Sequence, residues 1–236
     1  MLDHDGYLPS FAVVTDGKHS ELKVARSLHL EAGTILAIDR GYNDYAWFGQ
    51  LTRDGIYFVT RMNANTVYET VELCAVPDKG NALSDQIVSL PALDKAGEAP
   101  VLFRRIEYWN ADKQEILVLF TNLLHLAVST VAAIYKERWQ VELFFKALKQ
   151  TAKVKSLLGA SANAVKTQIW TALIAMLILK YLQIKSSFGW SLSNLAALLR
   201  QQLFIFIDLW GWLNDPMEGP PAARQLAEQL PMPLVW

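Results

Sequence analysis

The sequence predicts an α/β fold followed by helices, and three regional patterns support this prediction. Residues 34–61 alternate short apolar runs with a helical pattern, as open α/β sheets do. Residues 62–125 contain four β-type runs separated by turn-forming residues. Residues 129–206 follow a helical pattern. We therefore expect strands mainly in the first half of the chain and helices in the second.

The first part of the chain predicts strands and helices in alternation. Residues 7–16 predict a strand after a turn, residues 19–30 a helix, and the apolar run 34–39 a buried strand that ends at Asp39. Residues 43–53 predict a helix with Asp44 as an acid at its start, and residues 55–61 predict another strand. An acid at the carboxyl end of a strand is a typical position for a functional residue in such a sheet.

The second part predicts a β-rich meander and then three helices. The β-type runs are residues 67–73, 85–90, 99–109 and 115–122, and the helical segments are residues 129–149, 164–184 and 191–206. The longest apolar run, residues 169–179, is too short to cross a bilayer and ends at Lys180, so it predicts a buried helix. The tail from residue 214 contains five prolines and predicts irregular structure around one short helix.

Composition excludes some classes of protein. The 236 residues carry a formal charge of −1, so the whole chain is not a polybasic nucleic-acid binder. Residues 135–155, however, hold six Lys or Arg against two Glu. Such a strip can hold DNA, although a solvated helix would also show it. Cys74 is the single cysteine, which excludes an internal disulfide and a cysteine-based zinc cluster and fits a reducing cytoplasm.

One helical stretch, YKERWQVELFFKALK over residues 135–149, has the most informative spacing. Offsets of 0, 3, 7 and 14 residues fall within about 60° on a helix, and offset 11 joins the same face. The residues at these offsets are Tyr135, Arg138, Glu142, Lys149 and, at offset 11, Lys146. A lone carboxylate suits a divalent metal, and cations beside it suit phosphates. The alternative is a solvated helix face with weak ion pairs.

The spacing Tyr-x2-Arg-x3-Glu-x6-Lys resembles the YREK signature of insertion-sequence DDE transposases of the IS-four type. AIDRGYNDY, residues 37–45, resembles the second-acid motif of that family, in which an Asp ends a strand before Arg-Gly-Tyr. The resemblance covers residues 1 to about 215. It implies an RNase H-like catalytic core interrupted by a β-rich insertion and followed by C-terminal helices. It also implies carboxylates that hold Mg²⁺ or Mn²⁺.

The resemblance assigns roles to individual residues. Asp39 and Glu142 are the implied catalytic and metal-binding acids, and we expect their side chains within about 8 Å of each other. Arg138 and Lys149 are implied to grip phosphates, and Tyr135 to hydrogen-bond one. The phosphate-binding role of Lys146 is inferred from the shared face. Two alternatives stay open. Asp39 can instead cap the following turn. The resemblance implies that Trp109 stacks on a flipped base, but it can instead be a core residue.

The first acid of the implied triad has no clear match. Asp16 ends a predicted strand and is the remaining candidate, although its position in the resemblance indicates a structural role. We therefore expect an incomplete core that lacks its first strand and first catalytic Asp. The expected parts are residues 1–61, the first part of the core; 62–125, the insertion; 126–215, the catalytic and C-terminal helices; and 216–236, a proline-rich tail.

The resemblance predicts a transposase that cuts transposon ends and joins them to target DNA. It implies double-stranded DNA as partner, a homodimer in the full-length form, no membrane, and a bacterial cytoplasmic, nucleoid-associated location. Two alternatives remain at this stage. One is a non-catalytic DNA-binding or dimerising remnant of a transposase, and the other is a metal-dependent nuclease unrelated to transposition.

Overall fold

The computed structural model describes residues 1–4, 7–15, 21–76, 80–94, 97, 99–151, 161–202 and 204–216. Of residues 150 and 151 it describes the backbone alone. The chain divides into two compact units, one formed by residues 1–4 and 11–143 and the other by residues 5–10 and 144–236. The first unit contains a β-sheet, and the described part of the second is mainly helical.

Among its described residues, the first unit contains one mixed sheet of six strands. The strands are β1 (Ile35–Ala37), β2 (Tyr57–Arg61), β3 (Glu69–Leu73), β4 (Ala82–Ser89), β5 (Leu102–Asn110) and β6 (Glu115–Thr121). Their order across the sheet is β1-β2-β6-β5-β4-β3; β1 and β2 are parallel, and the other neighbours are antiparallel. The predicted α/β class is confirmed. Each β-type run of residues 62–125 contributes a strand, and these strands continue the sheet that β1 and β2 begin.

Helix α2 (Tyr45–Arg53) connects β1 to β2 and covers one face of the sheet. Asp44 caps it, accepting a hydrogen bond from the backbone N–H of Trp47 at 2.8 Å, as predicted for an acid at a helix start. Phe48 stacks on Phe58 of β2 with ring centroids 4.3 Å apart. The fully buried aromatic residues of this core are Phe48, Phe58, Phe103 and Phe120. Burial of these rings holds α2 against the sheet.

Helix α3 (Val128–Glu137) packs on the opposite face. Successive residues of a strand point to opposite sides, so Val59 of β2 faces α3 while its neighbour Phe58 faces α2. Val131 of α3 is fully buried in the same cluster as Val59. The backbone N–H of Ile38 donates to the Val59 carbonyl at 2.9 Å, so Asp39 is the first residue beyond this edge of the sheet.

A buried ion pair ties the sheet to the segment before α3. Arg104 of β5 donates to both carboxylate oxygens of Asp85 on β4, at 2.8 and 2.6 Å, and both side chains are less than 10% exposed. A third hydrogen bond runs from Arg104 Nη1 to the Leu126 carbonyl. The hydrogen bond to Asp85 raises the pKa of Arg104 despite its burial. Because charged groups are costly to bury without partners, this pair fixes where α3 begins.

The prediction of an N-terminal strand over residues 7–16 is wrong for residues 7–15, the part that the structure describes. Residues 7–15 form no strand ladder, and Leu2 and Pro9 make isolated bridges. Pro9 has no backbone N–H and cannot donate at its position, which limits any strand pairing here. The helix predicted over residues 19–30 is shorter, α1 (Glu21–Arg26). Asp16 lies outside the described residues.

The single helix predicted over residues 129–149 is two helices. Helix α3 ends at Glu137 and α4 spans Trp139–Thr151, with Arg138 between them. Arg138 keeps helical backbone angles, but the hydrogen bonds around it shorten to the i→i−3 type, from Arg138 N–H to the Tyr135 carbonyl and from Val141 N–H to the Arg138 carbonyl. A tight turn of this kind changes the helical phase locally. The predicted single helix is therefore interrupted at Arg138, although Tyr135 and Glu142 both contact Arg138 across the turn.

The described part of the second unit contains three further helices: α5 (Ala162–Lys185), α6 (Leu192–Gln202) and α7 (Leu209–Asn214). The first two correspond to the helices predicted over residues 164–184 and 191–206, whereas α7 was not predicted. Trp190, between α5 and α6, donates its indole N–H to the Leu213 carbonyl of α7 at 2.7 Å. These two residues form one core cluster with Leu182 and Leu195. The Ser191 hydroxyl accepts from Asn194 N–H at 3.2 Å and caps α6. Residues 217–236, nearly all of the predicted tail, lie outside the described residues.

Helix α5 is longer and more exposed than predicted. It runs 24 residues, beginning two residues before and ending one residue after the segment predicted over 164–184. Its buried residues are Ala172, Leu173, Met176 and Leu182, and its exposed apolar residues include Trp170, Ile174, Ile178, Tyr181 and Ile184. Its length and composition match those of a membrane-crossing helix. A single such helix is weak support for a membrane span, since core helices have the same properties.

Candidate active site

Asp39 lies where β1 ends and uses its two carboxylate oxygens differently. Oδ1 accepts a hydrogen bond from Gly41 N–H at 2.9 Å and caps the short 3₁₀ turn Arg40–Tyr42. Oδ2 lies 2.9 Å from Nη1 of Arg138. The capping role considered from the sequence is therefore observed. It leaves one oxygen directed toward the turn between α3 and α4.

Arg138 brings the two predicted acids together. Its Nη1 donates to Glu142 Oε1 at 2.8 Å while pairing with Asp39 at 2.9 Å. The two carboxylate oxygens share one nitrogen, so they are less than about 6 Å apart, within reach of one metal ion or a close pair. This separation meets the expected limit of about 8 Å. Asp39 is 48% exposed and Glu142 is 45% exposed, so water and a ligand can reach both carboxylates.

Tyr135 and Arg138 support each other beside these acids. The Arg138 guanidinium lies 5.9 Å from the centroid of the Tyr135 ring, in cation–π range. Burial raises the pKa of the Tyr135 phenol, although the charges of Arg138 and Arg61 oppose this shift. Burial would lower the pKa of Arg138, but its contacts with Glu142, Tyr135 and Asp39 outweigh burial and raise it. At neutral pH the phenol is therefore a neutral donor and the guanidinium is charged.

The remaining signature cation, Lys149, and Lys146, which was inferred from the shared face, lie farther along α4. Lys146 and Lys149 are exposed and belong to the second unit. Tyr135 lies on α3 and Arg138 in the turn, while Glu142 lies on α4. The first unit thus brings together Asp39, Tyr135, Arg138 and Glu142 from different elements. Tyr135 and Glu142 contact Arg138 as near neighbours in the chain, and the tertiary structure adds Asp39 to them.

The chemistry of the donor set fits a hard divalent cation. Two carboxylates with an open side match the way Mg²⁺ is held by one or two carboxylates together with water or phosphate oxygens. Within the described ranges, no group of three or more His, Cys, Asp and Glu side chains converges on one point. Arg138 therefore provides the positive charge between the two acids. The other candidate acid, Asp16, is not among the described residues.

A cleft of about 670 Å³ adjoins this site. It lies between the turn joining β5 to β6 and the α3–α4 turn, and Tyr135 and Arg138 line it together with Trp109 and Trp139. Lys113 of the β5–β6 turn lies 5.1 Å from the Trp139 ring centroid. Trp109 is half-buried, so its side chain borders the cleft instead of filling the core. Its predicted stacking on a base stays a prediction.

Sequence reasoning missed one residue of this site, Arg61. It is the last residue of β2, which pairs in parallel with β1, and it lines the cleft with Tyr135 and Arg138. The carboxyl ends of parallel strands meet at the same edge of a sheet. The argument that selected Asp39 at the end of β1 therefore applied equally to Arg61 at the end of the next strand.

Comparison with known proteins gives consistent matches. Residues 1–178 match the family described as the transposase DDE domain. The chain is 31% identical over 184 residues to a protein of Sinorhizobium fredii named as the transposase y4zB, covering 76% of this chain and 51% of that protein. It is 29% identical over 200 residues to a Geobacillus stearothermophilus protein named as the transposase for insertion sequence element IS5377, covering 82% and 51%.

A third relative, from Synechocystis, is named as the transposase for insertion sequence element IS4SA. It is 38% identical over 85 residues, which is 36% of this chain and 25% of that protein. This chain therefore spans about half the length of the first two relatives and a quarter of the third.

Proposed function

This chain belongs to the transposase DDE domain family, and from that premise we propose that it carries the metal-binding core of a DNA transposase. The proposed reaction is cut-and-paste transposition, in which strands are cleaved at transposon ends and joined to target DNA. The single observation that carries the proposal is the meeting of Asp39 and Glu142 on Arg138 at an open site. A strand-end acid and a helix acid whose carboxylate oxygens lie within about 6 Å of each other can share one metal ion or a close pair, as metal-dependent phosphoryl transfer uses.

In this proposal Asp39 and Glu142 are the ligands of Mg²⁺ or Mn²⁺. The cation, when bound, supplies Lewis-acid stabilisation of charge on phosphate oxygens and activates the attacking oxygen. The cap from Gly41 N–H holds the Asp39 carboxylate in place, so its second oxygen needs little reorganisation to bind. Glu142, on the first turn of α4, reaches the same point.

Arg138 and Tyr135 are the proposed phosphate-binding groups of this core. A guanidinium suits carboxylates and phosphates equally well, since both accept its paired N–H donors. Arg138 therefore holds the two acids when no substrate is bound and is placed to contact a phosphate when DNA enters. The phenol of Tyr135 is protonated at neutral pH, as an ordinary tyrosine is, and burial raises its pKa further; it can therefore donate to a phosphate oxygen. Lys146 and Lys149 are proposed to contact the DNA backbone as point charges.

The broader assignments rest on the same premise. The parallel β1–α2–β2 unit is proposed as part of an RNase H-like core, and residues 62–125 as a β-rich insertion in it. The proposed partner is double-stranded DNA at transposon ends and target sites, with a homodimer as the full-length form. The proposed location is the bacterial cytoplasm, in association with the nucleoid.

The test is Mg²⁺-dependent cleavage of duplexes taken from the DNA that flanks the coding sequence. We expect the active protein to nick these duplexes at a defined end, and we expect Asp39→Asn and Glu142→Gln to reduce cleavage at least a hundredfold. Asp54→Asn is the matched control, since Asp54 is an exposed acid at the end of α2. Cleavage without preference for an end sequence would instead favour a general nuclease.

A second candidate function is supported by the count of acids. The described residues bring two carboxylates together rather than three, so the chain by itself can act as a DNA-binding or dimerising remnant. Binding of the end duplex without cleavage in Mg²⁺ or Mn²⁺ would support this role. Robust cleavage by this chain alone would exclude it and would require a further acid, such as Asp16, in the site.

A further inference from the structure

A second, smaller cleft in the first unit is lined by three arginines. It has a volume of about 290 Å³ and lies where β2 ends, beside β5 and β6. The polar residues that line it are Arg40, Arg61, Arg105, Asn63, Thr66 and Tyr68. None of the acidic side chains in the described ranges lines it. Three guanidinium groups around one depression, without a carboxylate in its wall, make a site for an anion.

The arginines of this cleft are held in place by neighbours outside it. Arg105 is 13% exposed, lies 5.2 Å from the centroid of the Tyr68 ring and pairs with Glu107 at 2.7 Å. Arg61 lies 3.7 Å from Glu115. Neither glutamate lines the cleft. A guanidinium has five N–H donors, and pairing with one carboxylate uses only some of them. The remaining N–H donors of Arg61 and Arg105 are therefore available for a ligand.

The wall of the cleft is also fixed. Asn43 donates to the Arg61 carbonyl at 2.7 Å and to the Asn63 side chain at 3.2 Å. The hydroxyl groups of Tyr45 and Thr66 are hydrogen-bonded to each other. These contacts join the segment after β2 to the start of α2. A site whose walls are already hydrogen-bonded loses little order when a ligand binds.

Arg61 connects this cleft to the candidate active site. It lines the smaller cleft with Arg40 and Arg105, and it lines the larger cleft with Tyr135 and Arg138. The two clefts are thus neighbours that share Arg61. The larger cleft also contains acidic side chains, whereas none of those described lines the smaller one. A polyanionic chain bound at Arg138 would have its next charges within reach of the smaller cleft.

We propose that the cleft formed by Arg40, Arg61 and Arg105 binds a backbone phosphate of the DNA strand that enters the Asp39–Glu142 site. This inference rests on the proposed function and deepens it by naming where the strand is held. The size of the cleft, at the lower limit of ligand pockets, suits a phosphate and its sugar better than a whole base pair. The side chains of Asn63 and Thr66 supply neutral polar groups of the type that contact phosphate oxygens.

The experiment measures binding of a fluorescein-labelled end duplex by fluorescence anisotropy in Ca²⁺, over a range of salt concentrations. The variants are Arg40→Gln, Arg61→Gln and Arg105→Gln. Arg53→Gln is the matched control, because Arg53 is an exposed arginine of α2 that lines neither cleft. Circular dichroism checks the fold of each variant. If Arg105→Gln unfolds, Arg105→Lys and the exposed Arg40→Gln carry the test.

We expect each of the three cleft variants to weaken binding about three- to tenfold and to reduce the slope of log K against log salt by about 1. Arg53→Gln should match the wild type. If the three variants bind like Arg53→Gln while Arg138→Gln binds weakly, the cleft is not a phosphate site and the proposed function stands. If the wild type does not bind the duplex, the proposed function fails together with this inference.

Titration with inorganic phosphate is the second arm of the experiment. If free phosphate binds tightly while the three substitutions leave DNA binding unchanged, the cleft is a site for a small anion and the proposal is overturned.

Discussion

Replacement of Arg138 by Gln should increase the affinity of the site for a divalent cation. Arg138 pairs with Asp39 at 2.9 Å and with Glu142 at 2.8 Å, and both carboxylates are about half exposed. Ion pairs of this exposure each stabilise a protein by about 0.3–1 kcal/mol. The two pairs therefore stabilise the metal-free arrangement of Asp39, Arg138 and Glu142 by about 1 kcal/mol. A cation must displace it to bind both carboxylates. Since about 1.4 kcal/mol corresponds to a factor of ten, we expect Mn²⁺ to bind about fivefold more tightly to Arg138→Gln.

The assay is the electron paramagnetic resonance signal of free Mn²⁺, which falls as the ion binds and gives a dissociation constant without requiring catalysis. Adding Asp39→Asn or Glu142→Gln to the Arg138→Gln protein should abolish the gain, and adding Asp54→Asn should not. The Arg138→Gln protein should also lose about 1 kcal/mol of stability in the absence of metal, because two neighbouring carboxylates lose their shared cation. Equal or weaker Mn²⁺ binding by Arg138→Gln would refute the reasoning that the guanidinium occupies the position of the cation.

Three further predictions concern the frame around the site. Arg104→Met should lower the free energy of unfolding, measured in urea, by about 3–5 kcal/mol, because it leaves the buried Asp85 charge unpaired. The double variant Arg104→Met/Asp85→Leu should recover much of this loss. A small effect of the single variant would contradict the structural role assigned to the ion pair. Burial, with the nearby charges of Glu21 and Asp39, raises the pKa of Tyr42 to about 12, so a 295 nm titration of the wild type should contain a late step that Tyr42→Phe lacks. Because the folded state favours the neutral phenol, the contribution of Tyr42 to the free energy of unfolding is fully present below pH 10 and is lost between about pH 10 and 12. A Tyr42 titration step near pH 10 would exclude this contribution. Asp44→Ala should cost about 1 kcal/mol in thermal unfolding, since it removes the cap of α2, and unchanged stability would mean that the cap contributes little.

Much of the fold was predictable because its signals are local. The apolar run that forms β1, the four β-type runs and Asp44 at the start of α2 depend on patterns within about ten residues. The prediction of a strand over residues 7–16 was wrong for the described residues 7–15. It gave weight to the apolar composition of the segment and none to Pro9, which lacks a backbone donor. The division at Arg138 was also missed. Its cause is a local change of hydrogen bonding that the residue types around it do not encode clearly.

The candidate site was predictable only in part. Asp39 and Glu142 were selected by residue type, position and spacing, and the fold brings both to one guanidinium. Arg61 and Arg105 were not selected, although they lie on β2 and β5 beside the site. Arginines on strands are common, and nothing in the sequence near them indicates that they point into the same cleft. Their proximity depends on β6, which lies between β2 and β5 in the sheet.

The sequence by itself determined the class of chain and the identities of the acids. Residue type, helical offsets and strand ends are properties of short segments, so they can be read before the chain is folded. Only the tertiary structure decided that one arginine joins Asp39 to Glu142, and that Arg61 borders two clefts. The physical reason is that most of these contacts join residues far apart in the chain. They exist because burial of the aromatic core on one face of the sheet and of the aliphatic cluster around Val131 on the other fixes β1, β2 and α3 against one another.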